Sequence, residues 1–167
     1  HSILGLLPEN ATATGQMLYR GAQLTPALQQ QLRGREIALV PQSITYLDPL
    51  MTVSQQVCST RVSREKQRNA FQSLHLDAAV DLMYPFQLSG GMARRVLVAT
   101  AMVEDAELII ADEPTPGMDS SNAIEALTAF RTLADNGKAV ILITHDIDLA
   151  LGIADRIAVF YAGTTVE

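Results

Sequence analysis

Gln87-Leu88-Ser89-Gly90-Gly91-Met92 and, one helix-length further on, Leu108-Ile109-Ile110-Ala111-Asp112-Glu113-Pro114-Thr115 are the two phrases on which the fold turns. Ser89 is a favoured N-cap, and Gly90-Gly91 opens a helix whose first N–H groups lack partners within the helix. Such an end offers donors and partial positive charge to an anion, and paired glycines let it approach the backbone closely. Leu108 to Ala111 is a short apolar run ending in two consecutive carboxylates. That is how a buried strand delivers acids to the edge of a parallel sheet, where ligands bind. A metal–phosphate site needs one acid to hold the cation and another to orient or deprotonate the attacking water. Asp112 and Glu113 supply both. Singly, each phrase also reads as an ordinary N-capped turn or as solvated acids at a strand end. Their pairing favours chemistry.

Outward from this stretch, strand and helix periods alternate. Gln16 to Arg20 reads as a short strand, Thr25-Pro26 starts a helix to Arg33, and Ile37 to Val40 is a buried strand stopped by Pro41. Ser54 to Thr60, Arg64 to Leu74 and Asp77 to Met83 read as three helices. Gly91 to Glu104 is a helix, Glu107 to Ala111 a strand, and Ser120 to Ala134 a helix closed by Asn136-Gly137. Ala139 to Thr144, Ile147 to Ile153 and Ile157 to Tyr161 continue as strand, helix and strand. Strands separated by helices predict an α/β fold with a parallel sheet and right-handed crossovers. His145 follows the apolar Val140 to Ile143 at a strand end, well placed to hydrogen-bond a phosphate oxygen. Asp119 is expected to cap the helix that follows it, and His75 to sit in a helix beside Leu74 and Leu76.

Composition narrows the class. A chain of 167 residues with 48% hydrophobic content is long enough for a core and is not disordered. Its longest apolar runs, Val96 to Val103 and Ala139 to Ile143, fall well short of the roughly 18–20 residues that span a bilayer. No charged-then-apolar leader ends in a cleavage site. A single cysteine, Cys58, excludes an internal disulfide and reads as a small buried hydrophobe. The formal charge of −6 argues against non-specific nucleic-acid binding.

Leu88-Ser89-Gly90-Gly91-Met92 resembles the signature of the ATP-binding subunits of ABC transporters, and Leu108 to Glu113 resembles their Walker B strand with its catalytic glutamate. Pro116-Gly117-Met118-Asp119 is similar to the D-loop, Thr144-His145-Asp146 to the switch histidine, and Val40-Pro41-Gln42-Ser43 to the Q-loop. The motifs stand in family order over nearly the whole chain. Gln42 through Leu50-Met51-Thr52-Val53, and Ile3 to Pro8, resemble the oligopeptide, dipeptide and nickel importers within that family. The resemblance implies a P-loop NTPase-like (RecA-like) sheet, with core elements at 1–53 and 87–167 and a helical subdomain at 54–86. It implies ATP and Mg²⁺ as cofactors. Asp112 and Gln42 would serve the metal, Glu113 the attacking water, and His145 the γ-phosphate. Ser89, Gly90, Gly91 and Asp119 would meet the nucleotide and a second ATPase subunit, identical or different, bound head to tail. Membrane permease subunits would dock beside the Q-loop, on candidates Tyr46, Leu47, Pro49, Leu50, Met51, Met83, Tyr84 and Phe86. The implied location is the cytoplasm, peripheral on the inner face of the cell membrane.

Two residues depart from the family pattern: Arg94 where Gln usually precedes the Arg, and Gly117 in the D-loop, where it adds flexibility. A phosphate loop of the Gly-x4-Gly-Lys-Ser/Thr form is not among the 167 residues, and the Gly137-Lys138 pair reads as a helix C-terminal turn. The chain is therefore expected to start beyond the Walker A strand, which the family places between the strand ending at His145 and Ile157 to Tyr161. Unpaired backbone at such a gap calls for repair. Ile157 to Tyr161 moves in beside Ala139 to Thr144, another copy donates a strand, or the C-terminal strand is disordered. Two alternative functions compete with an importer ATPase. A non-hydrolysing interaction fragment would keep the partner surfaces. An ABC-type ATPase on DNA ends would need long heptad arms, for which Ser43 to Gln87 is too short and too broken.

Overall fold

The computed structural model describes residues 1–58 and 62–166. A small hairpin, β1 (Leu18–Tyr19) and β2 (Ala22–Gln23), precedes α1 (Pro26–Leu32) and β3 (Ile37–Val40). Then come α2 (Val53–Val57), α3 (Arg64–Ser73), α4 (Gly90–Val103), β4 (Leu108–Asp112), α5 (Ser120–Asp135), β5 (Ala139–Ile143) and α6 (Ile147–Ile153). A two-residue hairpin, β6 (Phe160–Tyr161) and β7 (Thr164–Thr165), closes the chain. The helix starts are written in the sequence. Thr25, Ser63, Ser89, Asp119 and Asp146 each accept a backbone N–H at the N-cap of α1, α3, α4, α5 and α6.

The main sheet is parallel, in the order β3-β4-β5, with Val40 opposite Ala111 and Asp112 opposite Ile143. Its strands alternate between two apolar layers. Ala38, Val40, Ile109 and Ala111 join Val96, Val98, Ala99 and Phe130 in the larger core. Ile37 and Ile110 face the other way, onto Leu4, Leu24 and Leu32. β3 and β4 are covered on both faces and have no polar side to show, which explains their unbroken apolar runs. Gly137 takes the left-handed conformation past the end of α5, and Lys138 Nζ donates to the Ala106 carbonyl at 2.6 Å. The Gly-Lys pair is a helix terminus, as expected.

Between β3 and α4, α2, α3 and a 3₁₀ turn at Ala78–Leu82 pack together around a buried polar cluster. Cys58 Sγ donates to Gln67 Oε1 (2.8 Å), and both Gln67 Nε2 (3.2 Å) and an Arg68 guanidinium nitrogen (2.8 Å) donate to Asp81 Oδ1. Cys58 is half-buried and hydrogen-bonded, rather than a buried hydrophobe.

Several expectations need correction. The helix foreseen at Ser54 to Thr60 runs Val53–Val57, and Ser59 and Thr60 lie outside the described residues. Asp77 to Met83 is a 3₁₀ turn, tightened by the Asp77 carboxylate accepting from the Ala79 N–H at 2.8 Å. His75 is outside the helix. The α3 helix ends at Ser73, and His75 turns the chain at φ 50° so that Leu74 and Leu76 both reach the core.

Ile157 to Tyr161 does not join the main sheet. Residues 155–158 instead line a groove of about 450 Å³ beside β5, α5 and α6, held by Arg131, which donates to the Asp155 carboxylate (2.9 Å) and the Ile153 carbonyl (3.1 Å). The first foreseen repair is absent, and the third fails because the segment is described and forms its own hairpin. Along β5 exposed and half-buried residues alternate, so the strand is not enclosed.

Candidate functional site

All three parallel strands end at the same side of the sheet. β3 runs into Pro41-Gln42, β4 into Asp112-Glu113, and β5 into Thr144-His145. The register Asp112–Ile143 sets Glu113 against the start of the His145 turn, and the Glu113 N–H donates to the Ile143 carbonyl at 2.9 Å. Glu113 sits at φ 46°, a left-handed conformation uncommon for a side-chain-bearing residue. Strain of this kind gathers at sites where a side chain must be aimed.

The aim is at His145. Glu113 Oε1 accepts the His145 backbone N–H at 3.0 Å and lies 2.8 Å from Nδ1. The histidine side chain is 83% exposed and the glutamate only 15%. Hydrogen bonding to Glu113, and then its charge, raise the His145 pKa above the ordinary value. Oε2 of Glu113 is buried and has no partner. A carboxylate anchored through one oxygen to an exposed imidazole at a strand end suits general-base chemistry on a water.

Ser89 caps α4 by accepting from the Met92 N–H at 3.2 Å. A Cβ added at Gly90 meets nothing within 4 Å, and one at Gly91 meets only the Gly117 carbonyl, at 3.7 Å. Internal packing therefore requires neither glycine. The helix end is bare toward the outside, as an external anion would need. The signature helix start thus lies against the Pro116-Gly117 loop. Between that loop and the His145-Asp146 turn is a cleft of about 310 Å³. Asp119 caps α5, accepting from the Asn122 N–H (3.0 Å) and its side-chain amide, and these bonds hold its pKa below the usual carboxylate value.

Gln42, Asp112, Glu113 and His145 thus emerge at one edge, while Ser89-Gly90-Gly91 and Asp119 flank the Gly117 loop. Among the described residues, no three His, Cys, Asp or Glu side chains gather as a closed metal cage. The donors at the sheet edge are oxygens, the half-buried Asp112 carboxylate and the exposed Gln42 amide. Two oxygen donors suit Mg²⁺, which takes one or two protein ligands and completes its shell with water and phosphate. Of the proposed docking side chains, Leu47 is buried in the core and Met83 packs partly against it. Tyr46, Leu50 and Phe86 are well exposed, and Tyr84 stacks on Phe86 with ring centroids 5.7 Å apart.

Arg94, marked in the sequence only as a departure from the family pattern, is buried by the fold.

Comparison with known proteins supplies the family. A family model described as ABC transporter matches residues 2–116. The probable peptide ABC transporter ATP-binding protein y4tR of Sinorhizobium fredii is 36% identical over 184 aligned residues, covering 99% of this chain and 55% of that protein. The oligopeptide transport ATP-binding protein OppD of Haemophilus influenzae is 32% identical, covering 99% and 56%. The dipeptide transport ATP-binding protein DppD of Bacillus subtilis is 33% identical, covering 99% and 55%. The chain spans about half the length of the curated relatives it matches. Among solved structures, a dimeric post-hydrolysis state of the ATP-binding cassette MJ0796 bound to ADP and Pi superposes with a TM-score of 0.72 at 26% identity, covering 82% of this chain and 65% of that one.

Proposed function

The chain belongs to the ABC transporter family, and we propose that it carries the hydrolytic edge of an ATP-binding subunit that energises a peptide importer. The observation that carries this reading is the Glu113–His145 contact at the common carboxyl end of three parallel strands. In this reading Glu113 orients and polarises the attacking water, and His145 faces the γ-phosphate. Asp112 and Gln42 would hold Mg²⁺, which when bound would neutralise charge on the phosphate oxygens. Ser89-Gly90-Gly91 presents its bare N–H groups to the nucleotide of a second ATPase subunit, alike or different, while Asp119 touches that subunit. Catalysis is then mostly positioning and electrostatic stabilisation.

Peptides are the proposed cargo because the relatives are named for peptides, oligopeptides and dipeptides. Nickel and metal chelates, which the motif resemblance also admits, find no support in those names. Tyr46, Leu50, Tyr84 and Phe86 form the proposed seat of the membrane subunits, putting the protein on the cytoplasmic face. No helix among the described residues is long and apolar enough to cross a membrane.

The test uses the full-length protein with its membrane subunits. Glu113→Gln is expected to lower ATP turnover by about 10²–10⁴-fold, the ordinary worth of a general base, while ATP binding persists. Loss of binding instead would remove Glu113 from this role. Unaffected turnover would mean that another group activates the water, and a wild-type protein without turnover would leave the non-hydrolysing interaction module as the better reading.

A further inference from the structure

Arg94 is 7% exposed, the one charged residue buried among the described residues. A guanidinium carries five N–H donors and is costly to bury unless they are used. Here one terminal nitrogen donates to the Pro41 carbonyl at 3.1 Å, and Nε is buried with no partner. An apolar residue of similar volume would pack at less cost. The cation's position gives a reason to keep it.

Pro41 is the first residue past β3, where the chain leaves the sheet and the ladder ends at Val40. Its carbonyl needs a donor there. Arg94 provides one from the second turn of α4, the helix that Ser89-Gly90-Gly91 opens. Burial lowers the pKa of Arg94, and the carboxylate of Glu113 opposes that shift. The side chain therefore lies within electrostatic reach of the hydrolytic edge.

We propose that Arg94 is a positioning residue: its buried guanidinium pins the Pro41 carbonyl to α4 and so fixes where Gln42 leaves the sheet relative to Ser89-Gly90-Gly91. The consequence for metal and nucleotide rests on the reading given under Proposed function. The tie itself does not. Downstream of Pro41 the chain folds into a 3₁₀ turn, with Leu47 N–H donating to the Ile44 carbonyl (3.1 Å) and Asp48 N–H to Gln56 Oε1 (2.8 Å). Those amides report on whether the segment is held.

Arg94→Met keeps the apolar stem and removes the donors, and Arg94→Lys restores one cationic donor. In the full-length protein, hydrogen exchange at Tyr46, Leu47 and Asp48 is expected to accelerate by about tenfold in Arg94→Met and to return towards wild type in Arg94→Lys. The Mg²⁺ concentration for half-maximal ATP hydrolysis should rise several-fold in Arg94→Met, with ATP binding little changed. If Arg94→Met does not fold, Arg94→Gln, which is shorter and uncharged, is expected to show the same local acceleration. Unchanged exchange at these amides would overturn the proposal. So would acceleration spread equally over α4 and the sheet, the mark of general loosening. Wild-type protein that hydrolyses no ATP would sink the functional reading alone, and the exchange result would still decide the tie.

Discussion

One oxygen of Glu113 meets His145 twice: Oε1 accepts its backbone N–H at 3.0 Å and stands 2.8 Å from its ring Nδ1. The backbone bond sets where β5's exit turn lies, and the ring contact depends on protonation. The second oxygen stays free.

Because Glu113 raises the His145 pKa in the folded state, protonated His145 is favoured by folding. Its stabilising effect is full below the unfolded value of about 6.5 and is lost as pH rises through the higher folded value. The wild-type protein should therefore exceed His145→Ala in melting temperature most at mildly acidic pH, with the gap closing above neutrality. Thermal unfolding of both proteins across about pH 5–8 checks this. A gap that widened with pH would mean that the ring is neutral when it contacts Glu113.

Residues 1–167 alone should show no ATP turnover approaching about 1 per second, since Asp112, Glu113 and His145 lack a phosphate loop and lysine to hold the nucleotide. Turnover at such a rate, abolished by Glu113→Gln, would show that the nucleotide is held some other way.

Gly90→Ala should separate stability from function. The new Cβ meets nothing within 4 Å and the backbone is not left-handed there, so unfolding free energy should change by no more than about 1 kcal/mol. If the bare helix end receives a phosphate, activity of the full-length protein should still fall by about 10²-fold. Equal, small effects on both would show that Gly90 faces only solvent.

Phe130 and Phe86 offer a contrast of environment. Phe130 is 1% exposed against the sheet, so Phe130→Ala should cost about 3–5 kcal/mol in denaturant unfolding. Phe86 is 76% exposed, and Phe86→Ala should stay within about 0.5 kcal/mol. Co-purification with the membrane subunits should respond in the reverse order.

Much of the scaffold was legible because it is written locally. Ile37 to Val40, Leu108 to Ala111 and Ala139 to Ile143 are apolar without interruption, and Thr25-Pro26, Ser89 and Asp119 mark helix starts by their own hydrogen-bonding chemistry. The order of the motifs identified the family. What escaped depends on partners far away in sequence. Ile157 to Tyr161 has a strand's composition, but a strand exists only where a neighbour's backbone receives it. His75 continues an apparently helical run, yet Leu74 and Leu76 can both be buried only if the chain turns between them. Nor does the sequence show that Arg94 is buried, since arginine in a helix ordinarily reaches solvent.

The open flank of β5 bears on how the protein behaves in concentrated solution. Ala139-Val140-Ile141-Leu142-Ile143 is uncharged, rich in β-branched residues and free of proline, and Ile141 and Ile143 are exposed. Such a segment is a template for cross-β stacking between molecules, with Lys138 as its one charged gatekeeper. Light scattering from the 167-residue chain should rise with concentration and time, and Ile141→Lys should suppress it without unfolding the sheet.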